Sequence, residues 1–143
     1  MSLLELCDPD PPHVAVEATA ADAIRTMLDQ RVGAVGLVDR EGRIAGIFTE
    51  RDVLRKLSLS GRDPASTPVR DVMTTSVEMA TLVTTPGEAL ATMVERHYRH
   101  LPVVGDGGKF LGMLSIRNVL ESKIDDLTRQ LGSAEKRIHK EIA

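Results

Sequence analysis

The chain has 143 residues, 42% of them hydrophobic, and a formal net charge of −3. That size and composition suit one core, in a single domain or in two small repeats that need each other, and the acidic balance argues against nucleic acid or anionic membranes as partners, because both take a basic footprint. No run approaches the roughly 18 apolar residues of a membrane span, MSLLELCDPDPP lacks the basic and apolar regions of a signal peptide, and the cytoplasm is the expected compartment.

In chain order, Cys7 comes first; as the single cysteine it excludes an internal disulfide and a CxxC metal site, and it reads as a free structural thiol. His13–Val16 reads as a short extended piece. Thr19 with Asp22 three residues on is a capping box, and Ala23, Ile24, Met27 and Leu28 then form one apolar stripe of a helix. Ala34–Val38 and Ile44–Phe48 read as strands joined by a turn at Gly42, and a second helix follows Thr49. The Gly/Pro/Ser-rich segment Leu57–Pro68 is a connector. The order then repeats: Met79–Leu82 extended, a capping box of Thr85 and Glu88 with Pro86 at the first helical position, and a stripe of Ala89, Leu90, Met93 and Val94. Strands Leu101–Val104 and Phe110–Leu114 around a turn at Gly108 come next, and a helix follows Ser115.

The recurrence is a gapless tandem repeat with an offset of 66 residues: Leu3 falls on Val69, Thr19 on Thr85, Met27 on Met93, Gly42 on Gly108, Gly46 on Gly112, Arg51 on Arg117 and Leu54 on Leu120. The expected layout is repeat one over 1–60, a connector over 61–68, repeat two over 69–123 and an amphipathic helix over 124–143. Copies of about 55 residues are marginal alone, so the two are expected to share a core. Ile124, Leu127, Leu131, Ala134, Ile138 and Ile142 continue a helical stripe from Leu120, and Gly132-Ser133 is a candidate break in it. That stripe needs either a coiled-coil-like partner in a homodimer or the body of the module to bury it.

Four segments, GIFTERD from Gly46, GMLSIRN from Gly112, RHLPVV from Arg99 and DVMT from Asp71, resemble the cystathionine-β-synthase (CBS) domain, and the two copies resemble a CBS pair, or Bateman module. The resemblance covers nearly everything from Leu3 to about Lys123. It implies an α/β (α+β) fold of two pseudo-symmetric repeats, each a small sheet packed with two helices, plus the C-terminal helix. It also implies two clefts that take adenosine nucleotides, AMP first and ATP or NAD as further candidates, and no required cofactor.

On that resemblance, Thr49 and Ser115 cap the helices that follow them, with unpaired N–H groups of the first turn left for a phosphate, and Asp52 holds the ribose. Asn118 keeps an acceptor but loses the charge, which makes the second cleft the weaker one. Arg51 and Arg117 lie between these pairs. Arg99 and His100 are implied to reach phosphate across the cleft, where the first copy has Gly33 and Ala34, so the two sites are expected to be unequal. The plainer readings are that Thr49-x-x-Asp52 is only a helix cap and that Arg99 and His100 are solvated residues at a strand end. His97 reads as surface, and His13 and His139 have no partner suggesting metal.

With two Phe, one Tyr and no Trp, a bound base has to sit mainly between aliphatic side chains. By resemblance, backbone groups near His13–Val16 and Met79–Leu82 meet the base. No nucleophile elbow, P-loop or paired catalytic carboxylates occur, so an enzyme is not expected. The expected function is a nucleotide-sensing regulatory module acting on an unknown protein partner or on its own dimer; the alternative is a ligand-independent scaffold with vestigial clefts.

Overall fold

The computed structural model describes residues 2–8 and 10–142, with side chains through Arg137. Each repeat begins its regular structure the same way. Strand β1 (His13–Ala15) is followed by helix α1 (Ala20–Gln30), and β4 (Ala80–Thr81) by α3 (Pro86–Arg96). Both helices start on the expected capping boxes. Thr19 Oγ1 accepts the Asp22 N–H at 3.1 Å while Asp22 accepts the Thr19 N–H at 3.2 Å, and Thr85 and Glu88 repeat this at 3.1 and 3.2 Å. Both also end alike, on a non-glycine residue in the left-handed region: Arg31 at φ 56° and His97 at φ 59°.

Strands β2 (Ala34–Val38) and β3 (Ile44–Thr49) complete the first sheet, and β5 (His100–Val104) and β6 (Phe110–Ser115) the second. In each, the short strand pairs parallel with the middle strand and the hairpin is antiparallel, giving the orders β1-β2-β3 and β4-β5-β6. Alternation divides every strand between two faces. Val35, Leu37 and Phe48 face Ala23 and Met27 of α1, and Leu101, Val103 and Leu114 face Ala89 and Met93 of α3. Ala34, Ile47 and Met113 instead pack together with Phe110 between the two repeats. The middle strands are therefore buried on both faces, which is why β2 reads as a continuous apolar run.

The first turn of each copy lies on the other copy's core. Leu3, in a 3-10 turn over Leu3–Leu6, is packed with Leu101, Leu114 and Val119, whereas Val69 and Val72, from the equivalent turn at Val69–Asp71, are packed with Leu37, Phe48 and Leu57. Gly46 and Gly112, which open the two signature segments, make room for this exchange. A Cβ on Gly46 would lie 2.8 Å from the Thr74 carbonyl, and one on Gly112 would lie 2.9 Å from the Cys7 Cβ. Beside Gly112 the Cys7 thiol donates to the Leu3 carbonyl at 3.5 Å, and burial, reinforced by Asp8, pushes its pKa up to about 11.

The last helices differ. After β3 there is one α-turn, α2 (Glu50–Asp52), and then a π-helical segment over Val53–Leu57; after β6, α4 runs unbroken over Ile116–Ile142. The expected break at Gly132-Ser133 does not occur. A glycine in an exposed helix costs only about 1 kcal/mol relative to Ala, and the surrounding Leu, Glu, Lys and Arg are good helix formers. Ile124, Leu127 and Leu131 are exposed along α4; the side chains of Ile138, His139 and Ile142 lie outside the described residues. Among the described residues no helix is long and apolar enough to cross a membrane.

Candidate nucleotide cleft

The junction between β3 and α2 is built around Asp52, which is only 6% exposed. One carboxylate oxygen accepts the Thr49 N–H at 3.1 Å and lies 3.2 Å from the Thr49 hydroxyl; in return the Asp52 N–H donates to Thr49 Oγ1 at 3.2 Å. The other oxygen accepts the Thr74 hydroxyl at 2.8 Å and pairs with Lys56 at 3.2 Å. Lys56, on the π-helical segment, also reaches the carbonyls of Val72 and Met73 at 3.1 and 3.0 Å. A buried charge requires partners of this kind, and they tie the strap that enters repeat two to the end of β3.

Above this junction lies a cavity of about 550 Å³ between the repeats. It brings together five of the eight residues expected from sequence: Thr49, Arg51 and Asp52 from the first copy, with Arg99 and His100 from the second. Arg51 donates to the His97 carbonyl at 3.0 Å, at the C-terminal end of α3, where a cation is favoured. Arg99 is exposed and has no side-chain partner among the described residues. His100 is half-buried over Gly33, where a Cβ would come within 3.0 Å of the ring. Gly33, which in sequence marks the lack of a basic residue, thus provides the space for His100. Burial lowers the His100 pKa from its ordinary value; Glu50 acts against that shift and Arg99 adds to it.

Ser115, Arg117 and Asn118 are not part of this cavity's lining. Ser115 caps the Asn118 N–H at 3.1 Å, the Asn118 side-chain amide donates to the Leu6 carbonyl at 3.0 Å, and Arg117 pairs with Glu121 at 3.0 Å on the surface. The expectation of free N–H groups in the first turn is narrowed by three bonds. The Glu50 N–H is bonded to the Gly33 carbonyl at 3.1 Å and the Asp52 N–H to Thr49, while the Ile116 N–H is bonded to the Arg99 carbonyl at 2.9 Å. Sheet closure and the capping hydroxyl take up these donors.

Apolar walls come from Ile47, Leu54 and Val77 with the one tyrosine, Tyr98. Neither extended piece, His13–Val16 or Met79–Leu82, lines the cavity; Thr74 and Val77, just upstream of the latter, do. Arg55, Lys56 and Arg96 also line it without having been singled out in the sequence. The signal for two of them was present as a helical spacing, since Arg55 and Lys56 follow Asp52 by three and four residues and so share its face. Thr74 was visible only as the end of DVMT. Among the described residues no cluster of three or more His, Cys, Asp or Glu could hold a metal ion.

The CBS domain family model matches residues 4–59 and 69–125, and the chain belongs to that family as a tandem pair of CBS domains. An uncharacterised 17.7 kDa protein of Acidianus ambivalens is 35% identical over 119 residues, covering 83% of this chain and 71% of that protein. The mitochondrial CBS domain-containing protein CBSX3 of Arabidopsis thaliana is 36% identical over 117 residues, 79% of this chain but only 56% of its own length. Among solved structures, a protein with CBS domains from Burkholderia ambifaria superposes with a TM-score of 0.78 at 34% identity, over 88% of this chain and 96% of the other. A CBS-domain containing protein from Agrobacterium tumefaciens gives 0.75 at 27%, over 86% and 99%. CBS pairs are in general regulatory, ligand-binding modules.

Proposed function

We propose that this chain binds an adenosine nucleotide, with AMP, ATP and NAD as the candidates, in the cleft of Thr49, Asp52, Arg99 and His100. The observation that carries this reading is that the cavity draws its polar lining from both repeats. A ligand touching Thr49 on one side and Arg99 on the other fixes the relation between the copies, and that relation is the signal passed on. Asp52 has its acceptors filled, so a ribose hydroxyl takes the place of Lys56, whose side chain is 38% exposed and keeps the Val72 and Met73 carbonyls as partners. The receiver we favour is a second copy of the chain. Leu28 and Leu54 are exposed on repeat one, Val94 and Leu120 at the offset positions on repeat two, and α4 extends the second patch through Ile124, Leu127 and Leu131.

Thermal unfolding with AMP, ATP, NAD and their guanosine or nicotinamide-only counterparts tests the reading, since a ligand at about 100 times its Kd adds roughly 2.7 kcal/mol. Asp52→Asn retains an acceptor but removes the charge. A charge-assisted hydrogen bond is worth about 1.5–3 kcal/mol, so nucleotide affinity should fall about tenfold or more by titration calorimetry. The internally satisfied Asp52 and the Asn118–Leu6 bond favour a second reading, a ligand-independent scaffold. It predicts no stabilisation by any nucleotide.

A further inference from the structure

The two halves of the module differ in charge where the cleft lies. Five permanent cations line it, Arg51, Arg55, Lys56, Arg96 and Arg99, against two carboxylates, Glu50 and Asp52, a surplus of three positive charges in a chain whose net charge is −3. Sixty-six residues away the surplus is gone. Glu121 stands for Arg55, Ser122 for Lys56, Gln30 for Arg96 and Gly33 for Arg99, while Asp8 stands for Thr74. Two of the cleft's cations have carboxylate partners: Lys56 pairs with Asp52 and Arg96 with Glu78 at 2.7 Å. Arg51, Arg55 and Arg99 have none among the described residues, and they come from both repeats. The first-turn N–H groups at Glu50 and Asp52 are already bonded, which leaves the cationic side chains as the main charged donors for an anion.

One phosphoryl group is satisfied by one or two guanidiniums, each able to bond two of its oxygens. Arg55 and Arg99 alone would suffice for one such group, but Arg51, held by the His97 carbonyl, keeps its charge, and a surplus of three positive charges around one cavity exceeds the two negative charges of a monophosphate. We infer that the cleft is a polyphosphate site: it takes a nucleoside triphosphate in preference to the monophosphate, one per chain, with Arg55 and Arg99 reading the outer phosphates. This rests on the nucleotide reading of the same cleft and adds to it a ligand class, a stoichiometry and a residue, Arg55, with no earlier assignment.

Titration calorimetry on the full chain, without divalent cations, with adenosine, AMP, ATP, GTP and inorganic tripolyphosphate tests it. ATP should bind about tenfold or more tighter than AMP, at one equivalent per chain, with an affinity that falls as salt is raised. Arg55→Gln, an exposed change that should leave the melting temperature of the free protein unaltered, should lower ATP affinity about tenfold and AMP affinity much less. AMP and ATP binding equally would overturn the polyphosphate inference and leave the adenosine reading standing, as would an Arg55→Gln protein with unchanged ATP affinity. Two equivalents of ATP per chain would overturn the single-site assignment. If GTP and tripolyphosphate bind as tightly as ATP, the polyphosphate site stands and the adenosine reading falls. If no phosphate-bearing ligand binds, both fall.

Discussion

His100 shows how one residue couples fold and charge. Its ring is held over Gly33 and its pKa is lowered, first by burial, with Glu50 opposing and Arg99 assisting. In the unfolded chain a histidine takes a proton near pH 6.5, while folded His100 stays neutral to lower pH. Its contribution to stability is therefore complete above 6.5 and is lost as the pH falls below that value. A bound phosphate reverses the preference by favouring the imidazolium. Nucleotide affinity should accordingly rise between about pH 7.5 and about pH 5.5. Calorimetry at both values on the native chain and on His100→Gln separates this from titration of the ligand itself, which persists in the variant. Identical pH profiles would remove His100 from the phosphate end.

At the scale of elements, the two 11-residue helices share a costly ending. Arg31 and His97 take left-handed backbone where glycine is the usual residue, and a side chain there costs roughly 1–2 kcal/mol. Against that stands the extra unfolded-state freedom that glycine brings, about 0.5–1 kcal/mol. Arg31→Gly is therefore expected to stabilise the chain by about 0.5–1 kcal/mol and raise the melting temperature by roughly 2–4 °C, read by calorimetry. A lower melting temperature would mean that the Arg31 side chain contributes packing that outweighs the backbone term. His97 adopts the same geometry but offers its carbonyl to Arg51, so the equivalent change in repeat two would disturb the cleft as well.

For the whole molecule, the exchanged lead-in turns make the repeats interdependent. Leu3 is 2% exposed in the core of the second repeat, far along the chain from its neighbours Leu101 and Leu114. Leu3→Ala should cost about 2–5 kcal/mol in urea unfolding, with one transition and an unchanged slope. Two separated transitions would show that the copies fold independently. The tail is the other test at this scale. Truncation after Lys123 removes the exposed Ile124, Leu127 and Leu131 while leaving both sheets and their cores. The truncated chain should bind nucleotide as before and dimerise more weakly in sedimentation experiments; an unchanged dimer would place the interface on the α1–α2 and α3–α4 faces alone.

The sequence by itself determined the repeat, the family and most elements, though neither the π-helical segment after α2 nor the unbroken α4. What it determined rests on local periodicity, on caps such as Thr19–Asp22 and Thr85–Glu88, and on an offset that is visible without coordinates. It also marked Thr49, Asp52, Arg99 and His100. Only the tertiary structure decided that these four face one cavity while Ser115, Arg117 and Asn118 do not line it, and that Lys56, Arg96 and Thr74 belong there too. It also decided that each core is completed by the other copy's first turn. Those outcomes depend on contacts between residues far apart in the chain, such as Leu3 with Leu114 and Lys56 with Val72, and on the order in which backbone N–H groups find partners. Neither quantity is written in the spacing of residues along a strand or a helix.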